Sequence, residues 1–176
     1  MHTHVIIPSR ARSSGRGFTL IEVIVVLVVT AIVGVSAIAS MSSTTATRQK
    51  LAARSLARDL TWARERAIST STTTWVTFNT GADTYALLMD DAANPGFSGA
   101  LALIDPATGR AFLGRWNTGD YAGMDMTGAT IASLGFDWMG RPVSTSNALL
   151  TSVVTITGSG GRTVTIQPQS GLIAWN

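Results

Sequence analysis

Few residues in this 176-residue sequence are equipped for chemistry, and their types narrow what that chemistry can be. Cysteine is absent, the only histidines are His2 and His4, and Lys50 is the single lysine. A disulfide scaffold, a thiolate zinc site, a lipoprotein anchor and a cysteine nucleophile are thereby ruled out. Imidazole acid–base work in the body of the chain has no side chain to perform it. Ten carboxylates remain, two glutamates and eight aspartates, but no G-x-S-x-G elbow accompanies them and no pairing of aspartates for general acid–base work can be located. The expectation is a chain that is not an enzyme and carries no cofactor.

One carboxylate stands apart. Glu22 lies inside the 22-residue stretch from Phe18 to Ala39, which is otherwise without charge. At about 1.5 Å per residue in a helix, that stretch is long enough for a roughly 30 Å hydrocarbon core. It is too long, and lacks the small-residue cleavage site after it, for a secretory signal peptide. A carboxylate inside a membrane helix costs a few kcal/mol even on lenient insertion scales. Either Glu22 sits near enough to the headgroups to stay hydrated, or a cation meets it at the same depth. Charge counting does not orient the segment, because Arg10, Arg12 and Arg16 precede it and Arg48, Lys50, Arg54 and Arg58 follow it.

Asp83, Asp90, Asp91, Asp105, Asp120 and Asp125 supply hard oxygen ligands, which raises a calcium site. The stretch DDAANPGFSGA has no EF-hand spacing, and aspartates in turns bend and cap a chain without metal, so no metal is expected. No GxxxxGK[ST] loop exists for phosphate either. The arginines argue against a nucleic-acid partner. Residues 48–66 carry a net charge of +4, whereas 67–176 carry −3, with Arg110, Arg115, Arg141 and Arg162 against seven aspartates. A phosphate-binding patch would need those four arginines to converge.

The string SSGRGFTLIEVIVVLVVTAIVG resembles the N-terminus of type IV prepilins and pseudopilins: a short basic leader ending in Gly17, then Phe18, a glutamate at the fifth position, Glu22, and an uninterrupted apolar run. The resemblance implies cleavage between Gly17 and Phe18 by a membrane-embedded prepilin peptidase, followed by N-methylation of Phe18. It also implies a leader in the cytoplasm, a single pass through the bacterial inner membrane and a periplasmic C-terminal domain. Cleavage would expose an ammonium on Phe18, which Glu22 can pair with in its own chain or in a neighbouring subunit, setting the register of helices in a filament. Major pilins often have a mid-helix proline. None occurs here between Pro8 and Pro95, which speaks against a kinked major-pilin stem. Some pseudopilin tip subunits lack the glutamate, so its presence implies a position below the tip.

The elements that carry these residues follow from periodicity. After the apolar part, Leu56, Leu60, Ala63 and Ala67 fall on one helical stripe, opposite Arg54, Arg58, Asp59, Glu65 and Arg66, which read as a solvated face. STSTTT at 69–74 ends the helix. Beyond it, TWVTFN and TYALLMD around TGAD read as a hairpin, and SVVTIT and RTVTIQP around GSGG as another, with GRAFLGRW, SLGFDWMGRPV and LIAW as further short strands. The expected fold is α+β, a long N-terminal helix packed on a mostly antiparallel β domain. Its parts are a leader at 1–17, a transmembrane part at 18–39, an amphipathic part at 40–68 and a β-rich domain at 69–176.

Within the pilin-like proteins, GFDWMGRP at 135–142 and TVTIQPQSGLI at 163–173 are similar to the phenylalanine–aspartate–glycine turn and final hairpin of the GspH/FimT minor pseudopilins. That resemblance implies a structural subunit of the periplasmic pseudopilus of a type II secretion system. The alternative is a FimT-like minor pilin of a type IV pilus, including one linked to DNA uptake. Expected partners are the prepilin peptidase, other pseudopilins or pilins through the N-terminal helix, and an inner-membrane assembly platform.

Overall fold

A computed structural model describes residues 18–176, with the side chains of 35–43 outside that description. The leader at 1–17, with Gly17, lies outside the described residues. The chain divides into a unit ending at Met41 and a second unit, Ser42–Asn176.

The single long helix, α1, spans Leu20–Thr70. Over its first part every described side chain through Gly34 is exposed, and all are apolar except Glu22 and Thr30. The Thr30 hydroxyl donates to the Val26 carbonyl one turn back, which satisfies its polarity within the helix. Among the described residues no helix is long and apolar enough to cross a membrane. The span expected at 18–39 runs into 35–39, whose side chains lie outside the description.

In the second unit α1 becomes amphipathic. Leu56, Leu60, Ala63 and Ala67 are fully buried, as their spacing predicts, and Ala52, Ala53 and Ala57 widen the face. The helix stops where hydroxyls take over its carbonyls: Ser69 Oγ and Thr70 Oγ1 both donate to Arg66 O, at 3.0 and 2.8 Å. Ser71 then takes a left-handed φ of 55°.

Two antiparallel sheets cover that face. In the first, β1 (Thr74–Asn79) pairs with β2 (Thr84–Met89) in register from Thr74 opposite Met89 to Asn79 opposite Thr84. The outer edge of β2 is shared by β3 (Leu101–Ala102) and β4 (Leu113–Arg115). In the second sheet, β5 (Met126–Ala129) lies beside β8 (Val154–Gly158). The first sheet continues from the other side of β1 through β6 (Ser133–Phe136) to β7 (Pro142–Val143). The second continues from β8 through β9 (Arg162–Ile166) to β10 (Ile173–Trp175). The core joins the helix face to Val76, Leu87, Leu134, Phe136, Ile156 and Ile166. Within residues 90–132 the stretch GRAFLGRW holds β4, as its pattern predicts, while β3, β5 and short turns make up the rest. Trp75 is fully buried and meets Phe97 edge to face at 5.5 Å, its ring occupying the space that a Cβ on Gly135 would enter.

Asp59 departs from the sequence expectation. It was assigned to the solvated face, yet it is buried, because α1 turns this carboxylate toward β2. Tyr85 Oη donates to Asp59 Oδ2 at 2.6 Å, and Arg58 Nε donates to Oδ1 at 3.1 Å. A buried carboxylate is tolerated when such partners replace its water.

Candidate functional site

The N-terminal end of α1 is the first candidate. Thr19 stands outside the helix as its cap: Thr19 Oγ1 and Thr19 O accept from Glu22 N, at 3.3 and 3.0 Å. Glu22 is the third helical residue, so T-L-I-E has the spacing of a capping box, a signal available in the sequence that assigns Thr19 a role the periodicity argument missed. A carboxylate in the first turn is also favoured by the positive end of the helix dipole. Glu22 is exposed, and among the described residues its carboxylate forms no ion pair. Phe18 immediately precedes the cap and is 80% exposed. Phe18 and Glu22 therefore sit at the same end of a helix whose described surface around them is apolar on all sides. Such a surface is stable only when covered by lipid or by other helices.

The aspartates raised as calcium ligands do other work. Asp90 Oδ1 accepts from Gly96 N at 2.6 Å, and Asp91 Oδ1 from Ala93 N at 3.2 Å. Asp105 holds Ala107 N and the Thr108 hydroxyl, at 2.8 and 2.9 Å. Asp83 Oδ1 accepts from Met126 N at 2.7 Å, joining the β1–β2 turn to β5. Asp120 and Asp125 are exposed. Among the described residues no three metal-ligating side chains gather.

Of the four arginines in the β domain, Arg141 is paired with Asp137 at 2.8 Å. Arg115 lies on β4 in the first sheet and Arg162 on β9 in the second. Tyr85 is the strongly perturbed titrating group. Burial pushes its phenol well above the ordinary value, and the Asp59 charge beside it adds to the shift. The same carboxylate raises the Arg58 guanidinium through their hydrogen bond and opposite charge. This trio ties α1 to β2.

The stretches 135–142 and 163–173 meet through Arg64. Asp137 Oδ1 accepts from Met139 N and Arg141 N, at 2.9 and 2.8 Å, and Gly140 N donates to Asp137 O, closing the β6–β7 turn. Arg64 of α1 then donates from Nε to Gly140 O at 3.0 Å and from an amino nitrogen to Ser170 O at 3.2 Å. Glycine is required at both turns. Gly140 and Gly171 have φ of 76° and 65°, and a Cβ on Gly171 would stand 2.0 Å from Gly140 O. Arg64 was not singled out by the sequence, since its two acceptors lie 76 and 106 residues away.

Comparison with known proteins bears on the N-terminal motif and on the fold. The family described as the prokaryotic N-terminal methylation motif matches residues 12–38. The minor pseudopilin EpsH from the type 2 secretion system of Vibrio cholerae is similar in structure, with a TM-score of 0.51 at 15% identity, covering 73% of this chain and 96% of EpsH. The type IV minor pilin FimU of Pseudomonas aeruginosa PAO1 reaches 0.50 at 16% identity over 76% of this chain and 91% of its own. A search of curated proteins gave no match. At these identities the likeness establishes the fold: a long N-terminal helix on a mostly antiparallel β domain, pilin-like, behind a prepilin-type motif.

Proposed function

We propose that this chain, type IV pilin-like in motif and fold, is a minor pseudopilin, a non-enzymatic subunit built into the periplasmic pseudopilus of a type II secretion system. The observation that carries the reading is the start of α1. An apolar cylinder exposed on all described sides bears one carboxylate, placed in the first turn and four residues after Phe18. In this reading a prepilin peptidase cuts between Gly17 and Phe18 and methylates the new amine. That cation lies at the positive end of the helix dipole, where it is disfavoured, so a carboxylate at Glu22 offsets it. Before assembly the helix spans the inner membrane once, with the β domain in the periplasm. During assembly it moves from lipid to a bundle of like helices at an inner-membrane platform, and the pairing of Glu22 with a Phe18 amine sets the axial register in a medium of low dielectric.

The secretion reading is supported by the likeness to EpsH, itself a minor pseudopilin from a type 2 secretion system. A minor pilin of a type IV pilus is the second reading, supported by the comparable likeness to FimU. Deleting the chain in its host and measuring secreted proteins beside surface pili separates the two. Loss of secretion with pili intact is the expected result, and loss of pili with secretion intact would replace the first reading by the second.

A further inference from the structure

Along the second half of α1, Arg54, Arg58, Trp62 and Arg66 follow one another at intervals of four residues. Side chains so spaced form one ridge of a helix, roughly 6 Å apart. The three arginines are exposed, and Trp62 is half-buried with Phe112 stacked on it at 5.4 Å. Among the described residues the side chains of Arg54 and Arg66 have no partner, whereas Arg58 is held by Asp59 and by the Ser55 hydroxyl, at 3.1 and 3.2 Å.

Three adjoining clefts follow this ridge. The first, of about 370 Å³, lies between Arg54, Arg58 and Tyr121. It meets the second, of about 310 Å³, at Arg58, and the second meets the third, of about 400 Å³, at Trp62 and Pro106. Arg66 lines the third. The groove is thus cationic over Arg54 and Arg58, apolar over Trp62, Pro106 and Phe112, and cationic again at Arg66. Two carboxylates line its middle part. Asp59 is satisfied by Tyr85 and Arg58, and Asp105 by Ala107 N and the Thr108 hydroxyl. Glu65, an exposed acid on this part of the helix, lines none of the three clefts.

We propose that this groove takes an acidic amphipathic helix of a different polypeptide, one that presents two carboxylates, a large apolar side chain and a third carboxylate at successive turns. A helix fits because a ridge at four-residue spacing seats between the side-chain rows of a second helix, and carboxylates one turn apart then meet guanidiniums at the same interval. A nucleic-acid strand or an anionic lipid surface fits less well, since an unbroken row of negative charge would meet Asp105 in the middle of the groove. A second copy is not the occupant. The exposed carboxylates of the second unit are Glu65, Asp120 and Asp125, and no two of them stand one turn apart on a helix. A minor subunit that meets unlike neighbours needs such a surface. The inference deepens the reading of the chain as an assembly subunit, and rests on it in taking the partner to be another component of that assembly.

The full chain in detergent is titrated into two labelled, hydrocarbon-stapled helical peptides that present Glu, Glu, Leu and Glu at successive turns, one in this order and one in the reverse, so that either direction of the partner is covered. Fluorescence anisotropy is expected to show saturable binding of one of them below about 1 mM. Arg54→Glu together with Arg66→Glu, both at exposed side chains, is expected to leave the melting temperature unchanged and to weaken binding at least about tenfold. Lysine in place of the first and last glutamates of the peptide then restores binding to the double variant. Glutamate in place of the leucine, which makes the acidic row unbroken, weakens binding to the natural chain. Failure of both peptides to bind, binding that survives the double substitution, or tighter binding of the unbroken acidic peptide would overturn the proposal. So would tighter binding of an oligothymidylate or of phosphatidylglycerol in mixed micelles, the first assigning the groove to nucleic acid and the second to a lipid surface. N-terminal processing plays no part in this binding, so its failure leaves the pseudopilin reading to its own tests.

Discussion

Tyr85→Phe removes one oxygen from the contact that ties α1 to β2, and its consequences can be worked out in two steps. The phenol donates to Asp59 Oδ2 at 2.6 Å with both residues buried, so its loss deprives a charged acceptor of one of its partners. Hydrogen bonds to charged groups contribute about 1.5–3 kcal/mol, and a value near 2 kcal/mol corresponds to roughly 5–10 °C in the melting temperature of a unit this size. The second step concerns pH. Unfolded tyrosine titrates near about 10, and in the folded chain burial and the Asp59 charge hold the phenol well above that. The folded state keeps a proton that the unfolded state releases. The stability from this group is therefore complete below about pH 10 and is lost, at about 1.4 kcal/mol per pH unit, as pH rises toward the folded value. Thermal unfolding followed by circular dichroism at about pH 8 and about pH 11 is expected to show the gap between the natural chain and Tyr85→Phe shrinking by more than half, from about 2 kcal/mol to under about 1. A melting gap below about 1 °C at the lower pH, or a gap that does not change with pH, would refute the assignment of the Tyr85–Asp59 pair as a buried charged hydrogen bond.

Five further substitutions test other contacts and the N-terminal motif. Gly171→Ala puts a Cβ against Gly140 O at a left-handed backbone position, and is expected to cost about 3 kcal/mol in denaturant unfolding, whereas Gly109→Ala, at a similar φ with open space around it, costs about 1. Asp137→Ala leaves two backbone N–H donors of the β6–β7 turn, those of Met139 and Arg141, without their acceptor and removes the Arg141 ion pair; a loss of about 3 kcal/mol in denaturant unfolding is expected, and an unchanged midpoint would count against this carboxylate as the group that holds the turn. Glu22→Ala is expected to leave cleavage nearly intact while abolishing incorporation into filaments, and Gly17→Trp to block processing, seen as an unshifted band on a gel; normal incorporation of Glu22→Ala would remove the role given to the carboxylate.

Local signals carried much of the fold. The stripe Leu56, Leu60, Ala63 and Ala67 is buried because helical spacing alone places those side chains on one face. The turns TGAD and GSGG announced the β1–β2 and β8–β9 hairpins because left-handed residues are needed there, as at Asp83, Gly160 and Gly161. Asp59 was misplaced for the opposite reason. A carboxylate on a helix reads as solvated until its partner is known, and Tyr85 lies 26 residues away on another element. Arg64 was invisible on the same grounds, since it reaches two backbone carbonyls, which have no sequence identity. In 90–132 the stretch GRAFLGRW reads as a strand and holds β4, whereas β3, an edge strand of two residues, is too short for alternation to register. At the N-terminus the motif was legible from leader to apolar run, and the T-x-x-E spacing that makes Thr19 a cap for Glu22 stands in the sequence as well.

The central claim is that Phe18 becomes the first residue of a subunit whose amine is read by Glu22. Mass spectrometry of the chain isolated from the membranes of its host measures this directly. A mature N-terminus at Phe18 carrying one methyl group is expected. An intact leader, or a cut at any other residue, would contradict it.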